Sequence, residues 1–239
     1  PELDFEVTDD GGAVVTIEAD SVRVDQSCKP GAITLSNGCG LRRTVIVEEL
    51  HWVRDALTAD RVTAMQAFRD LFSAQVLRPG DQVSVRRVTL MFTDLRGSTA
   101  LYEAIGDAAA YHLVREHFAF LTGVVRANNG AVVKTIGDAI MAVFNDPGEA
   151  FRAALDVQLK IEKFNHDNGD GGLVVKLGLH VGSSIAVTLN EQLDYFGSTV
   201  NMAARLQAQS EGGDIVVSAE AAEDPALRPM LETLTVVEE

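Results

Sequence analysis

Cysteine is nearly missing from this chain: Cys28 and Cys39 are the only two in 239 residues. So small a number excludes a disulfide framework as the basis of stability. The pair brackets KPGAITLSNG and could face across a hairpin, but free thiols in a reducing compartment are the expectation. Basic residues are scarce as well, 20 Lys and Arg against 35 Asp and Glu, for a formal net charge of -15. Such a chain repels phosphate backbones, and no Lys/Arg stripe with interleaved aromatics offsets the repulsion, so a nucleic-acid partner is not expected. No apolar run approaches the ~20 residues that a membrane helix needs, and PELDFEVTDD lacks the basic and apolar regions of a signal peptide. A cytoplasmic protein without a membrane segment is therefore expected. The first residue is proline rather than methionine, which is compatible with a piece of a longer protein.

What the chain does contain is hydrophobic patterning. Hydrophobic residues make up 46% of it, enough for one substantial core and a second small one. Residues 1–53 carry short β-type stretches, AVVTIEA, AITL and RTVIVEEL, between Gly, Asn, Ser and Pro turns, which predicts a small antiparallel sheet, with a regulatory role as the expectation. Residues 54–83 read as a connecting helix and linker. There TADRVTAMQAFRDLF offers Thr58 and Asp60 as caps and places Val62, Met65, Phe68, Leu71 and Phe72 at helical spacing, before the Pro-Gly break of VLRPGD. Residues 84–239 alternate: a strand RVTLMF, a helical region over 99–129, a hairpin AVVKTIGDAIMAVF, a helix near 148–165, a strand LVVKLGLHVG, a helix TVNMAARLQAQS and a strand DIVVS. That order predicts an α+β fold, a ferredoxin-like βαββαβ sheet with helices on one face.

Two stretches carry chemistry. VTLMFTDLRGST is an apolar strand that ends on Asp94 and enters a Gly-Ser-Thr turn before a helix. A carboxylate there can bind a hard cation and the helix amides can hold phosphate, although many such aspartates only cap the next helix. VVKTIGDAIMAVF alternates like a hairpin whose tip is Gly137-Asp138, and in a βαββ unit the hairpin lies beside the first strand. Asp94 and Asp138 can therefore converge, which suits a paired divalent-metal site for phosphoryl chemistry. Alone, Asp138 could equally serve the turn.

FTDLRGST, KTIGDAIMAVF, LGLHVG and DYFGSTVNMAARLQ together resemble, in order and spacing, the class III nucleotidyl cyclase catalytic domain. The segment ahead of them resembles bacterial adenylate cyclases in which another module precedes that domain. The resemblance implies conversion of ATP to 3′,5′-cyclic AMP and pyrophosphate by a homodimer with shared sites, using Mg²⁺ or Mn²⁺, two per site. It makes Asp94 and Asp138 metal ligands, adds the backbone carbonyl of Leu95, and assigns the triphosphate to Gly97, Ser98 and Thr99. Lys176 falls where the family carries a basic residue for the outer phosphates; an outward-facing strand lysine is the alternative. Lys134 and Asp194 match the pair that reads the purine. A lysine donor to adenine N1 and a carboxylate accepting from the exocyclic amine fit adenine and oppose guanine, whose selective enzymes carry Glu and Cys there. Asn201 and Arg205, four apart on one helix face, match the ribose-orienting asparagine and the arginine that steadies charge on the α-phosphate. In the family these two act in the site of the opposite subunit.

The alternative is a catalytically silent nucleotide-binding regulatory module; loss of a site residue would favour it, and Asp94, Asp138, Lys134, Asp194, Asn201 and Arg205 are all present. The GGDEF signature of a further cyclase type is absent. The chain ends at LTVVEE, ahead of the region where the family places another phosphate-contacting lysine, and VGSSIAVTLNEQL lacks the glycine pattern usual in the family's dimerisation arm. None of His112, His117 and His180 is expected to bind metal; His180 reads as structural.

Overall fold

The structure, a computed structural model, describes residues 13–17, 22–24, 33–38, 57–72, 77–78, 80–169 and 172–237. The chain divides into two compact units, Pro1–Asp55 and Ala56–Glu239. In the first, β1 (Ala13–Ile17) pairs antiparallel with β2 (Val22–Val24) and parallel with β3 (Ile33–Asn37). The small sheet is thus mixed, not antiparallel as expected. Strand composition and turn residues mark where strands are, but they do not carry direction, and a parallel neighbour cannot follow through a tight hairpin. RTVIVEEL and both cysteines lie outside the described residues.

The second unit begins with α1 (Ala59–Thr63) and α2 (Gln66–Phe72) where one amphipathic helix is predicted. Met65, Leu71 and Phe72 are exposed while Thr63, Ala64 and Arg69 are buried. The Arg69 Nε donates to the Thr63 carbonyl at 2.7 Å, across the break between the two helices. A buried arginine therefore shares the inward face of this segment with Ala64 and Phe68.

The elements that follow are β4 (Gln82–Leu95), α3 (Ser98–Ile105), α4 (Asp107–Ala127), β5 (Ala131–Ile136), β6 (Ala139–Phe144), α5 (Pro147–Asp167), β7 (Val175–Leu189), β8 (Gln192–Phe196), α6 (Ser198–Gln209), β9 (Val216–Val217), α7 (Ala219–Ala222) and α8 (Arg228–Leu231). The sheet runs β5-β6-β4-β7-β8, with β9 parallel to β7. β8 and its hairpin with β7 are additions to the expected pattern. Asn190 and Glu191 form that turn with φ 50° and 61°, a left-handed pair that sequence reading looks for at glycine.

Alternate residues of a strand point to opposite faces. Met91 and Leu95 of β4 join Leu121 and Val125 of α4 and Val157 and Ile161 of α5 in one core. Leu90 and Phe92 join Ala64, Tyr195 and Ala203 in the other. Helices therefore cover both faces, not one as expected, and the unbroken burial of β4 from Val88 to Thr93 is the consequence. On the second face α6 lies so close to β7 that a Cβ at Gly178 would run into the Gln207 backbone.

β4 and β7 pair over 82–85 with 184–187 and again over 88–95 with 175–182, with the register broken between Val85 and Val88. A bulge of this kind bends the strand and increases its twist. Strands β5 and β8, at opposite ends of the sheet order, are brought within reach of each other by this curl: Lys134 on β5 touches Asp194 on β8.

His117 on α4 is fully buried, with ring centroids 6.3, 6.4 and 6.1 Å from those of Phe118, Phe120 and Phe164. Neither ring nitrogen has a partner among the described residues. Burial pushes its pKa down to about 4, against a smaller upward pull from Asp138. Between that value and the ordinary 6.5, the unfolded chain binds a proton that the native state does not, so stability falls as pH falls through this window. His117→Phe is expected to flatten chemical-denaturation stability between pH 6.5 and 4, by up to about 3 kcal/mol relative to the parent.

Candidate active site

Strand β4 ends where its apolar run ends, and the residues that follow crowd polar groups at one end of the sheet. Gly97 takes φ 68° and no side chain caps α3. The first-turn amides of that helix have no intrahelical acceptor, and Ser98 and Thr99 stand in that turn. Across the sheet, Gly137 turns the β5–β6 hairpin with φ 62° and sets Asp138 beside the end of β4. The register is secured by Thr93, fully buried, whose hydroxyl accepts from the Ile140 amide at 3.2 Å. Asp94 and Asp138 are thus brought together, as expected.

Their proximity has an electrostatic signature. Partial burial raises the Asp94 pKa above the ordinary carboxylate value, and the Asp138 charge raises it further. The Leu95 amide and Lys176 offset part of this. Tyr102 of α3 donates its hydroxyl to Asp138 Oδ2 at 3.1 Å, and its own pKa is pushed up to about 12 by burial and by that carboxylate. Lys176 is the cross-strand neighbour of Asp94 and donates to the Ala208 carbonyl at 3.1 Å. Gln207 Nε2 reaches toward Asp94 Oδ2 at 3.5 Å. Tyr102, Thr93 and Gln207 escape sequence reading. Each sits in an ordinary helix or strand pattern, and only the tertiary fold brings it to the carboxylates.

The described residues hold no group of three or more His, Cys, Asp or Glu that would enclose a metal by themselves. Two neighbouring, partly exposed carboxylates with open amides beside them fit instead a hard cation whose shell is completed by carbonyl oxygen, water and substrate phosphate. The Leu95 side chain is buried, so only its backbone is available to such a site.

The second cluster is the Lys134–Asp194 pair, Nζ to Oδ2 at 2.5 Å. Asp194 is buried, and its Oδ1 accepts from the Tyr195 amide at 2.8 Å. Asn201 and Arg205 are exposed on α6, and their side chains make no hydrogen bond or ion pair with the described residues. The structure does not bring them to Asp94 and Asp138 within the chain. His180 lies buried on β7 with Nδ1 2.8 Å from Ser218 Oγ. A groove of about 720 Å³ lined by Arg61, Gln66, Arg87, Arg126 and Glu149 opens at the other end of the β5–β6 hairpin and contains none of these residues. There Arg87 pairs with Asp224 and Arg126 with Asp70.

The repulsion between the two carboxylates costs stability. Because the folded-state pKa of Asp94 is raised, the native chain holds a proton that the unfolded chain releases as pH rises from the ordinary value to the raised one, and stability declines across that window. Asp94→Asn is expected to raise the thermal unfolding midpoint of the ligand-free, metal-free protein at neutral pH. An unchanged or lowered midpoint in calorimetry would mean that the two charges do not oppose each other.

Comparisons with known proteins give the family of the chain. The Adenylate and Guanylate cyclase catalytic domain family matches residues 81–230. An uncharacterized protein of Mycobacterium tuberculosis is 40% identical over 130 residues, 54% of this chain and 32% of its own length. Adenylate cyclase 1 of Rhizobium meliloti is 31% identical over 140 residues, 53% of this chain and 21% of its own. The chain thus spans about a third or less of the length of these relatives. A solved catalytic core of a rhodopsin-guanylyl cyclase with converted specificity, in complex with ATPαS, superposes with TM-score 0.56 at 23% identity, over 60% of this chain and 83% of that one. That likeness is one of fold, and no helix among the described residues is long and apolar enough to cross a membrane. With the family match covering the sheet and both residue clusters, the chain belongs to the class III nucleotidyl cyclases, the adenylate and guanylate cyclase catalytic domain family.

Proposed function

We propose that this chain is an adenylate cyclase that converts ATP to 3′,5′-cyclic AMP and pyrophosphate as a homodimer. The observation that carries the choice of base is the Lys134–Asp194 pair, a cationic donor and a carboxylate acceptor held side by side on facing strands. Adenine offers an acceptor at N1 and a donor at its exocyclic amine; guanine offers N1–H and a carbonyl and would leave both protein groups mismatched. Each mismatch of a buried polar group costs ~1 to 3 kcal/mol. The family includes guanylyl cyclases too, so family membership alone does not select the base.

In this reading Asp94, Asp138 and the Leu95 carbonyl hold Mg²⁺ or Mn²⁺, two per site, which when bound lower the pKa of the attacking hydroxyl and neutralise phosphate charge. The amides of Gly97, Ser98 and Thr99 bind the triphosphate, with Lys176 near its outer oxygens. Asn201 orients the ribose and Arg205 steadies negative charge on the α-phosphate. The O3′–P bond forms as the bond from the α-phosphorus to the pyrophosphate oxygen breaks, and the hydroxyl proton passes to water. Asn201 and Arg205 are exposed and make no hydrogen bond or ion pair with Asp94 or Asp138 in their own chain, which supports their acting on the carboxylate cluster of a second copy in a two-fold dimer.

Incubation with ATP and Mn²⁺ or Mg²⁺ is expected to yield cyclic AMP, and Asp94→Ala or Asp138→Ala to abolish it. Nucleotide binding without cyclic AMP from the dimer would leave a silent regulatory module. Exchange of Lys134 and Asp194 for Glu and Cys is expected to lower ATP use and raise GTP use; an unchanged preference removes both from the base site.

Arg205→Ala and Asp138→Ala are each expected to be inactive alone. Mixed and allowed to exchange subunits, they should regain about half of wild-type activity per heterodimer, or about a quarter overall with random assortment. A mixture that stays inactive despite exchange followed with labelled subunits would show that each chain builds its own site.

A further inference from the structure

Helix α2 contains a charged group that neither the cyclase reaction nor ordinary packing accounts for. Arg69 is 4% exposed, and no carboxylate among the described residues pairs with it. A guanidinium is retained in such a place only where fixed dipoles and an aromatic face replace water. Here the replacements are specific. Nε donates to the Thr63 carbonyl and Nη1 to the Leu193 carbonyl, each at 2.7 Å. The guanidinium carbon stands 5.2 Å from the centroid of the Tyr195 ring, and Nη2 has no partner among the described residues.

Leu193 and Tyr195 are the two neighbours of Asp194 on β8. One side chain from α2 therefore holds the backbone before Asp194 and the ring after it. Asp194 itself points its carboxylate to Lys134 at 2.5 Å. The same helix holds the other half of the pair. Gln66 Oε1 accepts from the Val132 amide at 2.7 Å, where the β5–β6 register shifts between Val132 and Lys134. β5 stands at the edge of the sheet, and Gln66 supplies an acceptor to one of its amides two residues before Lys134. Arg69 and Gln66 lie three apart, hence on neighbouring positions of one helix face. Between them they tie α2 to both strands that carry the Lys134–Asp194 pair, strands that stand at opposite ends of the sheet and share no hydrogen-bonded ladder.

We propose that Arg69, assisted by Gln66, is a positioning residue for nucleotide selection: α2 sets the separation of Lys134 and Asp194, and through it the match to the purine. The proposal rests on the reading of that pair as the base-recognition site. It gives the stretch ahead of the catalytic sheet a defined task, because α2 is bonded to both β5 and β8.

The test is steady-state kinetics of the full chain with ATP and with GTP, together with equilibrium binding of 3′-deoxy-ATP and 3′-deoxy-GTP, which lack the attacking hydroxyl. Arg69→Met keeps the volume and removes the donors. It is expected to raise KM for ATP and weaken 3′-deoxy-ATP binding by about tenfold or more, and to lower the ATP-over-GTP ratio, with a much smaller change in kcat. Arg69→Lys, which keeps the charge and one direction of donation, should fall between the two. Asp194→Asn is the control for the base site. If it changes the ratio while Arg69→Met changes neither the ratio nor binding, the positioning role is wrong and the base site stands. If Asp194→Asn leaves the ratio unchanged, the base site is wrong and the proposal falls with it. A loss of active enzyme with KM and ratio unchanged would make Arg69 a stability residue only, and overturn the proposal. Should Arg69→Met not fold, Gln66→Ala decides: a fall in the ratio supports the brace, and an unchanged ratio overturns it.

Discussion

The pairing of β4 with β7 is the constraint on which everything else in the catalytic unit depends. It is a long antiparallel ladder broken once, between Val85 and Val88. Before the break the strands carry the β7–β8 hairpin; after it they carry the β6–β5 hairpin and the carboxylates. Were the ladder regular, β5 and β8 would stay at opposite edges of a gently twisted sheet. The irregularity around Arg86 and Arg87 gives the extra bend, and the sheet closes far enough for Lys134 and Asp194 to meet. The same ladder aligns Asp94 with Lys176, so a cation is built opposite a carboxylate by register alone.

Upon that frame the sheet end stores an unfavourable interaction. Asp94 and Asp138 would be more stable apart, and burial adds to their mutual repulsion. The fold overrides this with local geometry: Gly137 makes the turn, the Thr93 hydroxyl holds the Ile140 amide, and Tyr102 donates to Asp138. None of these contacts neutralises the pair. They hold two like charges in place without cancelling them, an arrangement that a bound cation would stabilise.

The sequence made the carboxylate cluster legible because Asp94 and Asp138 lie at element ends with strong local signals: an apolar strand running into Gly-Ser-Thr, and a hairpin turning on glycine. The helix of Asn201 and Arg205 was legible for the same reason. What stayed hidden depends on contacts distant in sequence. β8 was not anticipated because its turn, Asn190-Glu191, adopts left-handed backbone without glycine and its residues mix polar and aromatic types. The coverage of both faces was missed because α6 reads as polar, its close seat on β7 being made possible by Gly178 on the opposing strand. The parallel β3 was missed because strand direction leaves no mark in composition.

The segment before the sheet gives the sharpest case. Read by hydrophobic period, Val62, Met65, Phe68, Leu71 and Phe72 are its inward face, yet Leu71 and Phe72 are exposed and Arg69 is buried. Apolar burial is worth more per residue when unopposed, so an arginine can take the inward place only where partners for its N–H groups are already fixed. The carbonyls of Thr63 and Leu193 are such partners, one at the end of α1 and the other on β8. The first bond spans the helix break at Ala64, and the second docks the helix on β8. A segment whose apolar contacts are supplemented by directional bonds to two strands is held in register as well as in contact with the sheet. That is the property required of an element that must hold two edge strands at a set distance.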